Sequence, residues 1–149
     1  MFLAIGLALS LVVLTFIFHY HVLLWLGSFT PKLRISTHMQ VLVMVISLFF
    51  AHVVEIGFYA IMYGWSIEGL GLGFFEGARV DEFMSYLYYS GVIYTSLGLG
   101  DIYPEGHIRF ISAIETLNGL LLISWSASFT FVAMGRLWPW DNCFNITTE

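Results

Sequence analysis

The stretch Tyr94-Thr95-Ser96-Leu97-Gly98-Leu99-Gly100-Asp101-Ile102-Tyr103-Pro104 decides how the rest of this chain is read. Two glycines stand one residue apart, an acid follows them and a proline closes the run. Alone, G-x-G-D is a common turn, and its surroundings give it weight. Before it lies a short mixed segment, Asp81 to Tyr94. At about 1.5 Å per residue this makes a helix of about 20 Å. That is too short to cross a bilayer, yet it suits a re-entrant helix.

Farther out, three stretches are long and apolar enough to span: Phe2 to Leu26, Gln40 to Tyr63 and Ile108 to Met134. The composition agrees. The chain of 149 residues is 59% hydrophobic and 10% charged, with a mean hydropathy of +0.87. A soluble domain carries nearer one-quarter charged residues, so lipid is the expected solvent for most of this surface. The formal charge of -5 argues against nucleic acid, which requires a basic face. The single cysteine, Cys143, rules out an internal disulfide and a cysteine-based zinc site. Met1 to Phe18 has no preceding Lys or Arg and no A-x-A cleavage signal, so it reads as a retained span, not a signal peptide.

The loop Gly27 to His38 carries Lys32 and Arg34 without an acid, and Arg136 follows the third span. The positive-inside bias places both on the cytoplasmic side. The N-terminus and the region between spans two and three then lie outside, although Arg79 and Arg109 are there too. Glu68, Glu76, Asp81, Glu82, Asp101 and Glu105 share that outer side. They either concentrate cations at an entrance or form a solvated acidic loop. Trp138 and Trp140 flank Pro139 as an interfacial anchor and helix stop. Asn145-Ile146-Thr147 matches a glycosylation sequon on the predicted cytoplasmic side, where it is a chance match. The chain divides into an N-terminal helix and loop (1–37), a pore-like unit (38–136) and a short cytoplasmic tail (137–149).

The segment Thr95 to Asp101 with Pro104 resembles the pore segment of the small bacterial potassium-channel family, whose filter reads T-V-G-Y-G followed by Asp and then Pro. The resemblance covers Asp81 to Arg136 and extends loosely to span two; span one has no counterpart in the simplest members. It implies an all-α membrane protein of three transmembrane helices plus a re-entrant pore helix and a selectivity-filter loop. It also implies a homotetramer in the lipid bilayer, because one loop cannot ring an ion. Thr95, Ser96, Leu97, Gly98, Leu99, Gly100 and Asp101 become the filter, with potassium held by the oxygens of Ser96, Leu97, Gly98 and Leu99. Such a lining needs successive carbonyls aimed inward, and so an alternating, partly left-handed backbone that glycine permits. Asp81 is expected to cap the pore helix. Its C-terminal end aims partial negative charge at the cavity. Tyr88 and Tyr89 take the place of the family's bracing aromatics, and Val92 that of an apolar residue four before Ser96. Leu97 replaces Val and Leu99 replaces Tyr, which removes the phenol that ties the filter to its cuff.

On span three, Ser112, Thr116, Gly119, Ile123, Ser126 and Thr130 fall on one stripe. It suits either the lining of a water-filled cavity or close helix packing. Gly119 lies about where the family carries a hinge glycine. His52, Glu55 and Glu115 are ionisable groups at membrane depth, where such groups face the interior. His52 and Glu55 share a helix face. Counted from span ends, Glu55 and Glu115 both lie about 10–12 Å deep, so they are expected to meet. The trio, with Asn118 or pore-helix hydroxyls, either braces the filter, responds to protons, or binds a divalent metal. His19 and His21 are expected near the interface, and His107 at the outer mouth beside Arg109.

The expectation is passive potassium-type conduction in the plasma or inner membrane, with no cofactor beyond potassium in the filter. A non-selective cation channel, a metal or proton transporter, and a non-conducting subunit of the same fold are the alternatives. No span carries repeated arginines, and no nucleophile–base pair or cofactor motif points to an enzyme.

Overall fold

The computed structural model describes residues 1–77, 80 and 82–137. Ala78, Arg79, Asp81 and the stretch holding Trp138, Pro139, Trp140, Cys143 and Asn145 to Thr147 lie outside the described residues.

The elements run in the order α1 (Phe2–Phe29), α2 (Thr37–Gly64), β1 (Gly73–Gly77), α3 (Phe83–Tyr94), β2 (Ile102–Gly106) and α4 (Ile108–Leu137). Three of these helices are long and apolar enough to cross a membrane. The short α3 sits between the second and third, as the hydropathy required. Span one ends where Pro31 enters a tight turn, Thr30–Lys32. Span two starts on Ser36, whose hydroxyl accepts from the Met39 amide at 3.4 Å. At its far end α2 continues through a wider helical turn, Trp65–Gly69, in which the Leu70 amide donates to the Trp65 carbonyl. α3 begins at Phe83 with Glu82 at its N-cap and no side-chain cap bond.

α1 packs along α4 and α2, and α3 is wedged against α2 and α4. Much of the core is aromatic: Tyr59, Tyr63, Tyr86 and Tyr89 are buried with Ile102, Ile108 and Ile111, and Ala4, Ala8 and Leu11 of α1 close over them. The Phe75 ring reaches in from β1, 4.3 Å from that of Tyr89. Outward faces of the three long helices expose large apolar residues, such as Phe49, Phe50, Ile61 and Phe131. That is the surface lipid or a neighbouring chain requires.

Sequence patterning did not foresee the small antiparallel sheet. β1 pairs with β2 from Gly73↔Gly106 to Gly77↔Ile102. This ties the segment after span two to the segment after the G-x-G-D run. Pro104 sits within β2 opposite Phe75; a two-stranded ribbon has only edges, where a missing amide is tolerated. Tyr103 donates across to Glu76 at 3.1 Å, and this bond raises the pKa of the Tyr103 hydroxyl above its ordinary value.

The stripe on α4 faces inward. Ser112, Gly119 and Ser126 are buried within the chain and Thr116 and Thr130 partly so, while only Ile123 is exposed. Within one chain the stripe packs closely at Ser112, Gly119 and Ser126. The reason is clearest at Gly119. A Cβ there would lie 2.1 Å from the Tyr94 carbonyl oxygen. Glycine thus lets α4 touch the C-terminal end of α3. Gly119→Ala should push the two helices apart and lower stability by about 1–3 kcal/mol, as overpacking does. A drop in thermal unfolding temperature in detergent checks this, and an unchanged temperature would exclude the contact.

Candidate functional site

The residues after α3 leave the helix through a backbone with an alternating hand. Ser96, Gly98 and Gly100 have φ of 57°, 58° and 77°, and Ser96 is the only described non-glycine residue with positive φ. A serine in this region is uncommon, and such residues cluster where function holds the backbone. The amides explain how it is held. Ser96 N–H donates to the Ile93 carbonyl at 2.9 Å, Leu97 N–H to the Val92 carbonyl at 2.9 Å, and Gly98 N–H to the same oxygen at 3.4 Å. In a planar trans peptide the C=O of the preceding residue points opposite to the N–H. The carbonyls of Thr95, Ser96 and Leu97 are therefore directed away from the chain's own α3, into open space. Residues 95–101 are all exposed, including Leu97 at 63% and Leu99 at 57%.

Two side chains anchor this loop. Thr95 Oγ1 donates to the Gly91 carbonyl at 2.7 Å. Tyr88 Oη donates to the Asp101 carboxylate at 2.7 Å. Tyr89, expected to share that task, instead turns inward and lies 2.8 Å from Ser112 Oγ. The bond from Tyr88 supplies a brace from the helix side where Leu99 offers none. Tyr88→Phe should change the ratio of K⁺ to Na⁺ permeability by about fivefold or less, the effect of one bond of about 1 kcal/mol. Reversal potentials under mixed gradients measure it, and an unchanged ratio would show that Asp101 needs no tether.

Behind the loop, the three ionisable groups expected to meet are divided between two networks. Glu115 accepts from Ser90 at 2.6 Å and from Tyr63, with Ser112 Oγ 3.0 Å from the Tyr63 hydroxyl. Glu55 belongs to a separate set. His19 Nδ1 is 2.8 Å from its Oε1, His52 Nδ1 is 3.0 Å from its Oε2, and Tyr94 donates to Oε2 at 2.6 Å. Ser126 Oγ joins both imidazoles at 3.0 and 3.1 Å. Between the networks Asn118 donates to Thr15 and Tyr59 at 2.8 and 3.0 Å. Depth explains the separation. Glu55 lies fourteen residues before Gly69, where span two with its final turn ends, or about 21 Å. Glu115 lies seven residues after the start of α4, or about 10 Å.

His19 is the residue that sequence reasoning misplaced: it is fully buried, not interfacial. A signal was present. Ala4, Ala8, Leu11, Thr15, His19, Leu23 and Leu26 form the buried stripe of α1, and its small and polar members already mark a packed face. His21 is exposed and bonds to the Ile17 carbonyl. At the other end His107 is exposed, and Arg109 reaches Glu105 at 3.4 Å.

Against known proteins, the sequence model of the ion-channel family matches residues 41–136. The chain belongs to that family. The match runs from span two through α3 and the alternating loop to the end of α4, which is the unit that carries the geometry above. No curated protein and no solved structure matches the chain significantly. Family membership makes this multi-pass membrane protein an ion-channel protein; α1 lies outside the matched unit.

Proposed function

We propose that the chain forms a homotetrameric, passive potassium-type channel. The alternating backbone at Ser96, Gly98 and Gly100 carries this reading, because it turns consecutive carbonyls away from α3. Four copies around one axis would surround an ion with those oxygens, replacing its water shell. The exposed Leu97 and Leu99 side chains support assembly, since neighbouring chains would cover them. The cavity lining moves to the exposed face of α4, the stripe Leu117, Leu121, Ser124 and Ser128. Its two hydroxyls bond back to the Leu120 and Ser124 carbonyls at 2.7 and 2.9 Å, which leaves their oxygen lone pairs for water.

Polarity in the membrane follows from the same frame. The turn after α1 meets the C-terminal end of α4, since Pro31 and Arg136 line one cavity. This supports Lys32, Arg34 and Arg136 on one, cytoplasmic, side. Glu76, Asp101 and Glu105 gather around the sheet at the outer side, where they would raise the local cation concentration.

The test is flux in liposomes loaded with potassium. A valinomycin-independent potassium current exceeding that of sodium supports the reading. Intact tetramers without flux would overturn it, and equal permeabilities would replace it with a non-selective pore.

A further inference from the structure

We propose that His19, His52 and Glu55 form a binding site for one divalent metal ion of the zinc class inside the membrane domain. This goes beyond conduction and does not depend on it.

The donor atoms are two imidazole nitrogens and one carboxylate oxygen, which lie within 4.8 Å of one another. That set suits zinc, and three protein ligands leave a fourth position for water. Ligand atoms around tetrahedral zinc stand about 3.3 Å apart, given metal–ligand distances of about 2.0–2.1 Å. His19 Nδ1 and His52 Nδ1 are already 2.8 and 3.0 Å from the Glu55 oxygens. The two rings are stacked, with centroids 5.2 Å apart and planes inclined by 30°, so both Nδ1 atoms face the carboxylate together. His19 and Glu55 side chains are fully buried, and the His52 side chain is 17% exposed.

The hydrogen count makes the stronger argument. Without a metal, one choice of tautomers gives each Glu55 oxygen an Nδ1–H from an imidazole. Both Nε2 atoms are then acceptors, and both face Ser126 Oγ. A serine hydroxyl has one hydrogen, so it serves one of them. With those tautomers one Nε2 has no donor; in the other tautomer His52 takes the Tyr94 hydroxyl, 2.9 Å away, on Nδ1 and donates Nε2–H to Ser126, which leaves a lone pair facing Glu55 Oε2 at 3.0 Å unless a cation lies between them. With a metal on the Nδ1 lone pairs, both Nε2–H groups donate into the two lone pairs of Ser126 Oγ. The Ser126 hydrogen turns to its own helix, as those of Ser124 and Ser128 already do. Tyr94 donates to Glu55 and fixes the carboxylate. A ligating histidine almost always donates its other N–H to such a partner, and here both are provided by one side chain. A hydroxide in the fourth position would cancel the remaining positive charge.

Ligands from α1 and α2, with Ser126 of α4 and Tyr94 of α3 around them, make the ion a joint between all four helices. Tyr94 is the residue before Thr95, so occupancy would also stiffen the base of the loop.

Purified protein dialysed against zinc chloride, then against metal-free buffer, should retain one equivalent per chain by mass spectrometry of the metal. His19→Gln and His52→Gln should each lower retention at least tenfold, while His21→Gln should not change it. Cobalt(II) in place of zinc should give the intense visible bands of a four-coordinate site, lost in the same two variants. Should His19→Gln fail to assemble, Ser126→Ala provides the second arm, with weaker retention and shifted cobalt bands. Wild-type retention no higher than that of the His19→Gln/His52→Gln double variant would overturn the proposal. So would a metal-free protein whose flux changes with pH through His19 alone, which would assign the missing cation to a proton. All binding readouts use the isolated protein, so a failed flux assay leaves them interpretable.

Discussion

Gly98→Ala should abolish potassium flux in liposomes, lowering it at least a hundredfold, while the protein still inserts and folds. The φ of 58° at Gly98 costs an L-residue about 1–2 kcal/mol. Four copies in one ring would multiply that to about 4–8 kcal/mol, concentrated where the carbonyls must stay aligned. No atom lies within 4 Å of a Cβ built at this glycine, so within one chain the penalty is conformational, not steric. Semisynthetic protein with D-alanine at position 98 should therefore recover flux, because a D-residue prefers positive φ. Equal loss with both enantiomers would show that crowding by neighbouring chains, not backbone hand, governs the position. Loss with neither would remove this loop from the conduction path.

Glu115→Ala should be strongly destabilising. The carboxylate is fully buried and accepts from hydroxyls on α2 and α3, those of Tyr63 and Ser90. Its removal takes their shorter acceptor from these donors, leaving Ser90 the Ile56 carbonyl at 2.9 Å and Tyr63 the Ser112 hydroxyl at 3.0 Å, and empties space at the junction of three helices. Large-to-small changes in a packed interior cost about 2–5 kcal/mol, enough to prevent assembly in a marginally stable protein. Glu115→Gln keeps an acceptor oxygen and should restore most of the assembled fraction on size-exclusion chromatography. An alanine variant as stable as the parent would mean that water replaces the carboxylate. Thermal unfolding of the three proteins side by side distinguishes these outcomes.

The spans and the pore-like unit were legible from the sequence because both are written in local terms. A run of apolar residues needs no partner to declare itself, and Gly98 and Gly100 announce their backbone through residue type. Ser96 did not, since a serine at positive φ is imposed by the amide bonds to the end of α3. The side-chain networks were less legible because a helical wheel shows which residues share a face, not what that face meets. The hydroxyl-rich stripe of α4 was visible, yet it points toward α1, α2 and α3. Glu55 and Glu115 were assigned equal depth because the wider turn at Trp65–Gly69, which lengthens span two, has no signature in hydropathy. The β1–β2 ribbon was missed since Gly73–Gly77 has only five residues and its pairing partner lies beyond the loop.

The position of α1 also bears on the order in which the chain is made. Spans enter the bilayer from the N-terminus onward, so Glu55 arrives in lipid before Tyr94 or Ser126 has emerged to meet it. His19, already inserted, is the one partner from another helix available to it at that moment. The first helix would thus shelter an acid that is costly for span two to carry alone, and Tyr94 and Ser126 would later complete the contact. A truncated chain beginning at span two would have to insert Glu55 with only His52 beside it. That gives the helix outside the family's matched unit a task during biogenesis, finished before any ion is moved.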